Sequence, residues 1–94
     1  MNPIKFHEII DVRPYYTFVG TITIENLNVL AGKIEKFLKE GKTILVHCAM
    51  GQERAPLVVA WYLSKYRNMT LNKAYNLISK KRPSIRDVRN RITS

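Results

Sequence analysis

The chain has 94 residues, with 16 Lys and Arg against 7 Asp and Glu, for a formal charge of +9. That length allows one small domain, expected to span residues 1–94, and a composition of 46% hydrophobic and 24% charged residues is globular rather than disordered. No apolar run reaches the ~18 residues of a membrane span, and the first five residues lack the apolar core of a secretory signal.

In chain order, residues 4–12 read as a strand, with Ile4, Phe6, Ile9, Ile10 and Val12 supplying apolar bulk. Arg13-Pro14 should end it, because proline cannot donate to a strand ladder. Residues 15–24 are aromatic and β-branched, and fit either a second strand or an ordered loop. Thr23 can cap a helix, with Glu25 in the first turn meeting the positive end of the helix dipole. Leu27, Leu30, Ala31, Ile34, Phe37 and Leu38 then recur at helical spacing, and Gly41 should close the helix in a left-handed conformation. Residues 43–46 read as a short buried strand. Strand, helix and strand in that order predict a right-handed crossover and a parallel pair. Residues 55–66 are apolar almost all round, so they predict a buried helix, with Pro56 in the first turn. Thr70 should cap a further helix bearing Leu71, Ala74, Leu77 and Ile78, ended by Pro83. Ser84-Ile85-Arg86-Asp87 has the form of a capping box and predicts a last helix with Ile85, Val88 and Ile92 inward. The expected class is α/β, a small, mostly parallel sheet flanked by helices.

The charge is uneven. Residues 1–48 carry 6 basic and 5 acidic side chains, and residues 49–94 carry 10 and 2. A basic half suggests an acidic partner such as a phosphate ester or nucleic acid, although a solvated basic face explains it as well. One cysteine cannot make an internal disulfide or a multi-cysteine zinc site, so a reducing, cytoplasmic setting is expected. His7 and His47 show no metal-ligand spacing, and neither a metal nor an organic cofactor is implied.

The chemistry concentrates in His47-Cys48-x5-Arg54. A cysteine ends a strand, and five residues later an arginine opens a helix. The turn between them, eased by Gly51, can point several backbone N–H groups into one hollow. The helix adds its positive N-terminus, and Arg54 adds a planar fork that grips two oxygens of a phosphate. Cys48 would lie at the floor of that hollow, where the same field favours the thiolate. Thiolate attack on phosphorus is the reaction that suits this arrangement.

This motif resembles the signature loop of the cysteine-dependent protein tyrosine phosphatases. The run from Pro56 to Leu63, then Asn68-Met69-Thr70-Leu71, Ala74-Tyr75 and Lys81-Arg82-Pro83, looks like the dual-specificity branch. The resemblance covers roughly residues 41–92 and implies a reduced version of that fold. It implies that Cys48 is the nucleophile, that Arg54 binds the phosphoryl group and that His47 supports the loop. Backbone N–H groups of Ala49, Met50, Gly51, Gln52, Glu53 and Arg54 would cradle the oxygens.

Three departures from the family pattern stand out. Ala55 occupies the position where the family usually has Ser or Thr, a hydroxyl that helps the thiolate leave; its loss should slow breakdown of the phosphoenzyme. The general acid is not at its usual distance before the cysteine, where Thr17, Phe18 and Thr21 lie. Asp11, the sole Asp upstream, is the first candidate, although it could instead pair with Arg13 or a surface lysine; Glu25 and Glu53 come after it. The chain also starts close to where the resemblance puts the acid loop. That would leave a small sheet with an exposed edge, which a second copy could cover as a homodimer.

The leading expectation is a phosphatase acting on phosphorylated proteins, at phosphotyrosine and, if the pocket is shallow, at phosphoserine or phosphothreonine as well. Tyr15, Tyr16 and Phe18 are either an aromatic wall for a phosphotyrosine ring or core. RNA 5′-phosphate removal, a phosphate-binding module without turnover and, last, a sulfurtransferase are the alternatives. No membrane partner is expected.

Overall fold

The structure, a computed structural model, describes residues 6–48 and 54–94. Strand β1 is Glu8–Asp11, shorter than the sequence suggests, and residues 4 and 5 of the expected strand lie outside the described residues. Val12 adopts helical backbone angles and starts a 3-10 turn at Arg13–Tyr15, with Pro14 supplying the fixed φ that such a turn accepts. Residues 15–24 turn out to be neither one strand nor a simple loop. Residues 17–21 close a tight turn through Thr17 N–H to Thr21 O at 2.8 Å and Gly20 N–H to Thr17 O at 2.9 Å. Strand β2, Ile22–Thr23, comes immediately afterwards.

Helix α1 is Ile24–Lys39, and Thr23 caps it by accepting a hydrogen bond from Asn26 N–H, as the sequence predicts. Its buried stripe is Leu27, Leu30, Ala31 and Ile34. Gly41, at φ +75°, ends the helix. Lys42 N–H reaches Phe37 O at 3.0 Å and Gly41 N–H reaches Leu38 O at 3.0 Å, the paired bonds of a Schellman ending. Strand β3, Ile44–His47, pairs in parallel with β1, so the expected βαβ crossover is present. β3 is half-buried along its length rather than fully buried, and Ile9 on β1 is 62% exposed. Parallel sheets are normally covered on both faces, and among the described residues this one is not.

Helix α2, Arg54–Tyr66, packs between α1 and helix α3, Leu71–Lys81. Ala55, Leu57, Val58, Ala60 and Tyr62 of α2 are all buried, which matches its all-round apolar sequence. Trp61 Nε1–H donates to Asn28 Oδ1 at 2.9 Å and ties α2 to α1. Thr70 caps α3 through Lys73 N–H.

The expected last helix is absent. Asp87 Oδ1 accepts from Arg89 N–H at 3.1 Å, and the same carboxylate takes the Arg89 guanidinium. The side chain expected to close a capping box is thus spent on a local turn, which competes with helix. Extended chain leads instead to a 3-10 turn, Arg89–Arg91, and to strand β4, Ile92–Thr93. β4 pairs in parallel with β2, Ile22 opposite Ile92, so the expected single sheet is divided into two small ones. Val88 still faces inward and is buried.

The glycines of α1 and its terminator allow a clean test. A Cβ on Gly41 would meet nothing within 4 Å, so Gly41→Ala loses only the conformational preference and should cost about 1 kcal/mol. Gly32 lies inside α1, where a Cβ would make ordinary contact with the Tyr66 hydroxyl, 3.9 Å away. Gly32→Ala should therefore stabilise by about 0.5–1 kcal/mol. Chemical denaturation of the two variants should move the midpoint in opposite directions.

Candidate active site

Parallel strands put their C-terminal ends at the same level, so the segments beyond β1 and β3 emerge side by side. Asp11 stands opposite His47 in the register, and Val12 N–H donates to His47 O at 3.0 Å one step further on. The next residues are the turn Arg13–Tyr15 on one side and Cys48 on the other. Cys48 is buried, at 8% exposure.

Arg54 is the first residue of α2. Its guanidinium lies over the Tyr16 ring, 5.3 Å from the centroid, and Tyr16 Oη donates to the Arg54 backbone carbonyl at 3.2 Å. Ring and hydroxyl thus hold the two ends of one residue. Tyr16 is 9% exposed; burial, then the neighbouring Tyr75 and Cys48, push its phenol up, so it remains a protonated donor at neutral pH. The sequence alone leaves Tyr16 between wall and core. It is a buried support beneath Arg54, while Tyr15 is taken up by Lys33 of α1 and Phe18 is fully exposed at the tip of the 17–21 turn.

A second arginine reaches the same place. Arg91 Nη1 donates to Val19 O at 3.4 Å. Gly20, at φ +86°, lies close to both cations: a Cβ there would sit 2.6 Å from Arg91 Nη1 and 3.7 Å from Arg54 Nη2. Neither Gly20 nor Arg91 stands out in the sequence. A glycine two residues after an exposed aromatic is a faint turn signal, and the pairing of β4 with β2, which delivers Arg91, spans most of the chain.

Among the acid candidates, Asp11 is brought beside His47 but is committed to Arg13. Its carboxylate accepts Arg13 N–H at 3.0 Å, Nε–H at 2.9 and 3.0 Å and Nη2–H at 2.6 Å. The side-chain bonds to Arg13 come first in holding its pKa down at about 2, below the ordinary 3.8. An acid for a leaving group must carry a proton, and this pairing keeps Asp11 ionised. Glu25 is exposed in the first turn of α1, where it meets the helix dipole. Glu53 and the rest of the expected cradle, Ala49 to Gln52, lie outside the described residues. His47 ends β3 and lines a groove with Ala55 and Pro56. Among the described residues, no three His, Cys, Asp or Glu side chains converge as a metal site would need, and no helix is long and apolar enough to cross a membrane.

The Asp11 pair sets a titration test. In the folded protein the Asp11 carboxyl should titrate near 2, and Arg13→Gln should return it toward 3.8. Because the folded value is depressed, the pair supports the fold fully above pH 3.8 and ceases to do so as pH falls through about 2. Carboxyl chemical shifts followed by NMR against pH would read both values.

The family model for the dual specificity phosphatase catalytic domain matches residues 5–93. Mouse dual specificity protein phosphatase 14 is 39% identical over 59 residues, which is 63% of this chain and 30% of the mouse protein. MAP kinase phosphatase with leucine-rich repeats protein 3 of Dictyostelium discoideum is 36% identical over 81 residues, 86% of this chain and 9% of that protein. The chain therefore spans less than a third of the length of these relatives. Among solved structures, PTPMT1 superposes with a TM-score of 0.76 at 21% identity, covering 87% of this chain and 68% of that one. Tk-PTP in its active form gives 0.71 at 23%, covering 85% and 69%. At such identities the structures attest the fold, and the match over residues 5–93 attests the family. A strand-end cysteine and a helix-opening arginine, carried on a parallel βαβ unit, are thus the features of a chain that belongs to the dual specificity phosphatase catalytic-domain family.

Proposed function

We propose that the chain, acting as one domain over residues 1–94, is a cysteine-dependent phosphatase for phosphorylated proteins. The observation that carries this reading is the placing of the two residues: buried Cys48 directly follows β3, and Arg54 opens α2 with its guanidinium over the Tyr16 ring and its carbonyl bonded by the Tyr16 hydroxyl. The named relatives are protein phosphatases, and the same activity fits this arrangement.

In the proposed reaction the Cys48 thiolate attacks phosphorus. The bond from phosphorus to the ester oxygen breaks, and the leaving group takes its electron pair and then a proton from water. Arg54 offsets the charge on the phosphoryl oxygens as the transition state forms, the kind of contact that preorganised donors make. Tyr16 keeps the guanidinium in place from below. Water then attacks the phosphocysteine, phosphate departs, and the thiolate is restored. His47 supports the turn into Cys48 through its carbonyl bond to Val12.

Leaving-group chemistry narrows the substrate. Held ionised by Arg13, Asp11 has no proton ready for a poor leaving group. A tyrosine phenolate, whose phenol has a pKa of about 10, departs unaided far more readily than a serine or threonine alkoxide. Phosphotyrosine is thus the favoured residue. RNA 5′-phosphate removal has no specific observation behind it, and neither does a second copy on the exposed sheet face.

Rapid mixing with an aryl phosphate tests the mechanism. A burst equal to the enzyme concentration, followed by slower turnover, is expected of the wild type, and Cys48→Ser should abolish both. Ala55→Ser should restore a hydroxyl beside the loop, shrink the burst and raise the steady rate. Asp11→Asn should change aryl phosphate turnover by less than about threefold, against the ~100-fold or greater loss typical when a general acid is removed. Turnover that survives Cys48→Ser would exclude the phosphocysteine route.

A further inference from the structure

Arg91 and Arg54 come from opposite ends of the described C-terminal half, yet their guanidinium groups both come close to the Cβ position of Gly20. Like charges this close repel, and anions bound to them relieve the repulsion. Among the described residues no carboxylate pairs with either arginine, whereas Arg13 and Arg89 each have an aspartate. Arg91 donates a hydrogen bond to the Val19 carbonyl, which occupies Nη1 and fixes the direction of the group. The platform under it is rigid: the turn 17–21 is closed by two backbone bonds and by Thr17 Oγ1 against Thr21 Oγ1 at 2.7 Å. A fork held this way gives a charge-assisted contact at little ordering cost.

We propose that Arg91 is a second anion-binding arginine of this site, which reads an acidic side chain next to the phosphorylated residue of a peptide. The proposal deepens the phosphatase reading and takes from it the placing of the phosphoryl group at Arg54. The phosphoryl group would then leave Arg91 to the next anion along the chain. Phe18, fully exposed, and Val19, 73% exposed, project from the same turn. Apolar groups at the rim suit peptide side chains better than a nucleic-acid backbone, which is gripped chiefly by cations and polar groups.

Binding, rather than turnover, is the measurement that separates this proposal from the phosphatase reading. The protein carrying Cys48→Ser would be titrated with two phosphotyrosine peptides that differ in one adjacent residue, Glu in one and Gln in the other. The Glu peptide should bind about tenfold more tightly, the size of one added charge-assisted contact. Adding Arg91→Gln should bring that ratio to about one, and Arg91→Lys should leave it between the two, because the charge remains while the fork is lost. Gly20→Ala should also lower the ratio, since its methyl would occupy the place of Arg91 Nη1 without removing any charge. Should Arg91→Gln fail to fold, a Lys-flanked peptide supplies the same test on the Cys48→Ser protein and should bind more weakly than the Gln peptide. A ratio near one before Arg91 is changed, or a ratio that survives Arg91→Gln, overturns the proposal. So does tighter binding of a 5′-phosphorylated oligonucleotide than of the Glu peptide. If the ratio behaves as expected while wild-type protein fails to turn over an aryl phosphate, the phosphatase reading falls and the role of Arg91 stands.

Discussion

The parallel pairing of β1 with β3 is the constraint on which the site depends. Four residue pairs, from Glu8 with Ile44 to Asp11 with His47, fix where both strands stop. In a parallel pair the strands stop at the same edge, and the segments leaving them are brought together. On one side that segment is a turn leading to Tyr16, and on the other it begins with Cys48. A slip of one residue would move Tyr16 along the edge and turn every strand side chain to the other face. The Val12 N–H to His47 O bond secures the last step of the register at the point where it matters most. Helix α1 serves the same end, since its length and its Schellman ending return the chain to β3 in the right place.

The cations gathered at this edge are handled differently, and the differences have chemical meaning. Arg13 meets a carboxylate, so its charge is largely cancelled and Asp11 stays ionised. Arg54 meets an aromatic face and offers its carbonyl to a hydroxyl, contacts that orient it without neutralising it. Arg91 meets a backbone carbonyl, which orients it in the same way. The edge therefore retains positive charge at Arg54 and Arg91, as a phosphate dianion would need. Had Asp11 stood against Arg54 instead, the same composition would have produced a closed ion pair and a poor anion site.

How far the sequence discloses all this depends on the range of each interaction. The caps at Thr23 and Thr70 and the terminator at Gly41 involve neighbours within a few residues, and each is legible. The parallel pair is legible because chain connectivity and handedness leave little choice. Residues 84–87 mislead because a capping box and an aspartate turn use the same residue types, and Asp87 bonds forward to Arg89 rather than back to Ser84. The role of Tyr16 has no periodicity to betray it, since it sits in irregular chain and depends on Arg54, 38 residues away. The pairing of Thr93 with Ile22 spans 71 residues, so Arg91 is invisible until the fold is known. Asp11 is legible as a carboxylate near the site, but its chemistry depends on a guanidinium two residues away whose direction the sequence does not give.

The basic second half of the chain can now be divided by position. Lys80 and Lys81 close α3, where cations meet the negative end of the helix dipole, and Arg82 comes directly after them. Arg67 lies over Tyr62, and Arg89 is divided between Asp87 and the Tyr75 ring. These charges serve the fold that carries them. Arg54 and Arg91, by contrast, both come close to Gly20 at the candidate site. On the proposed reading, the acidic partner suggested by composition narrows from an extended polyanion to a ligand with its negative charge concentrated over a few ångströms. A phosphate monoester is such a ligand.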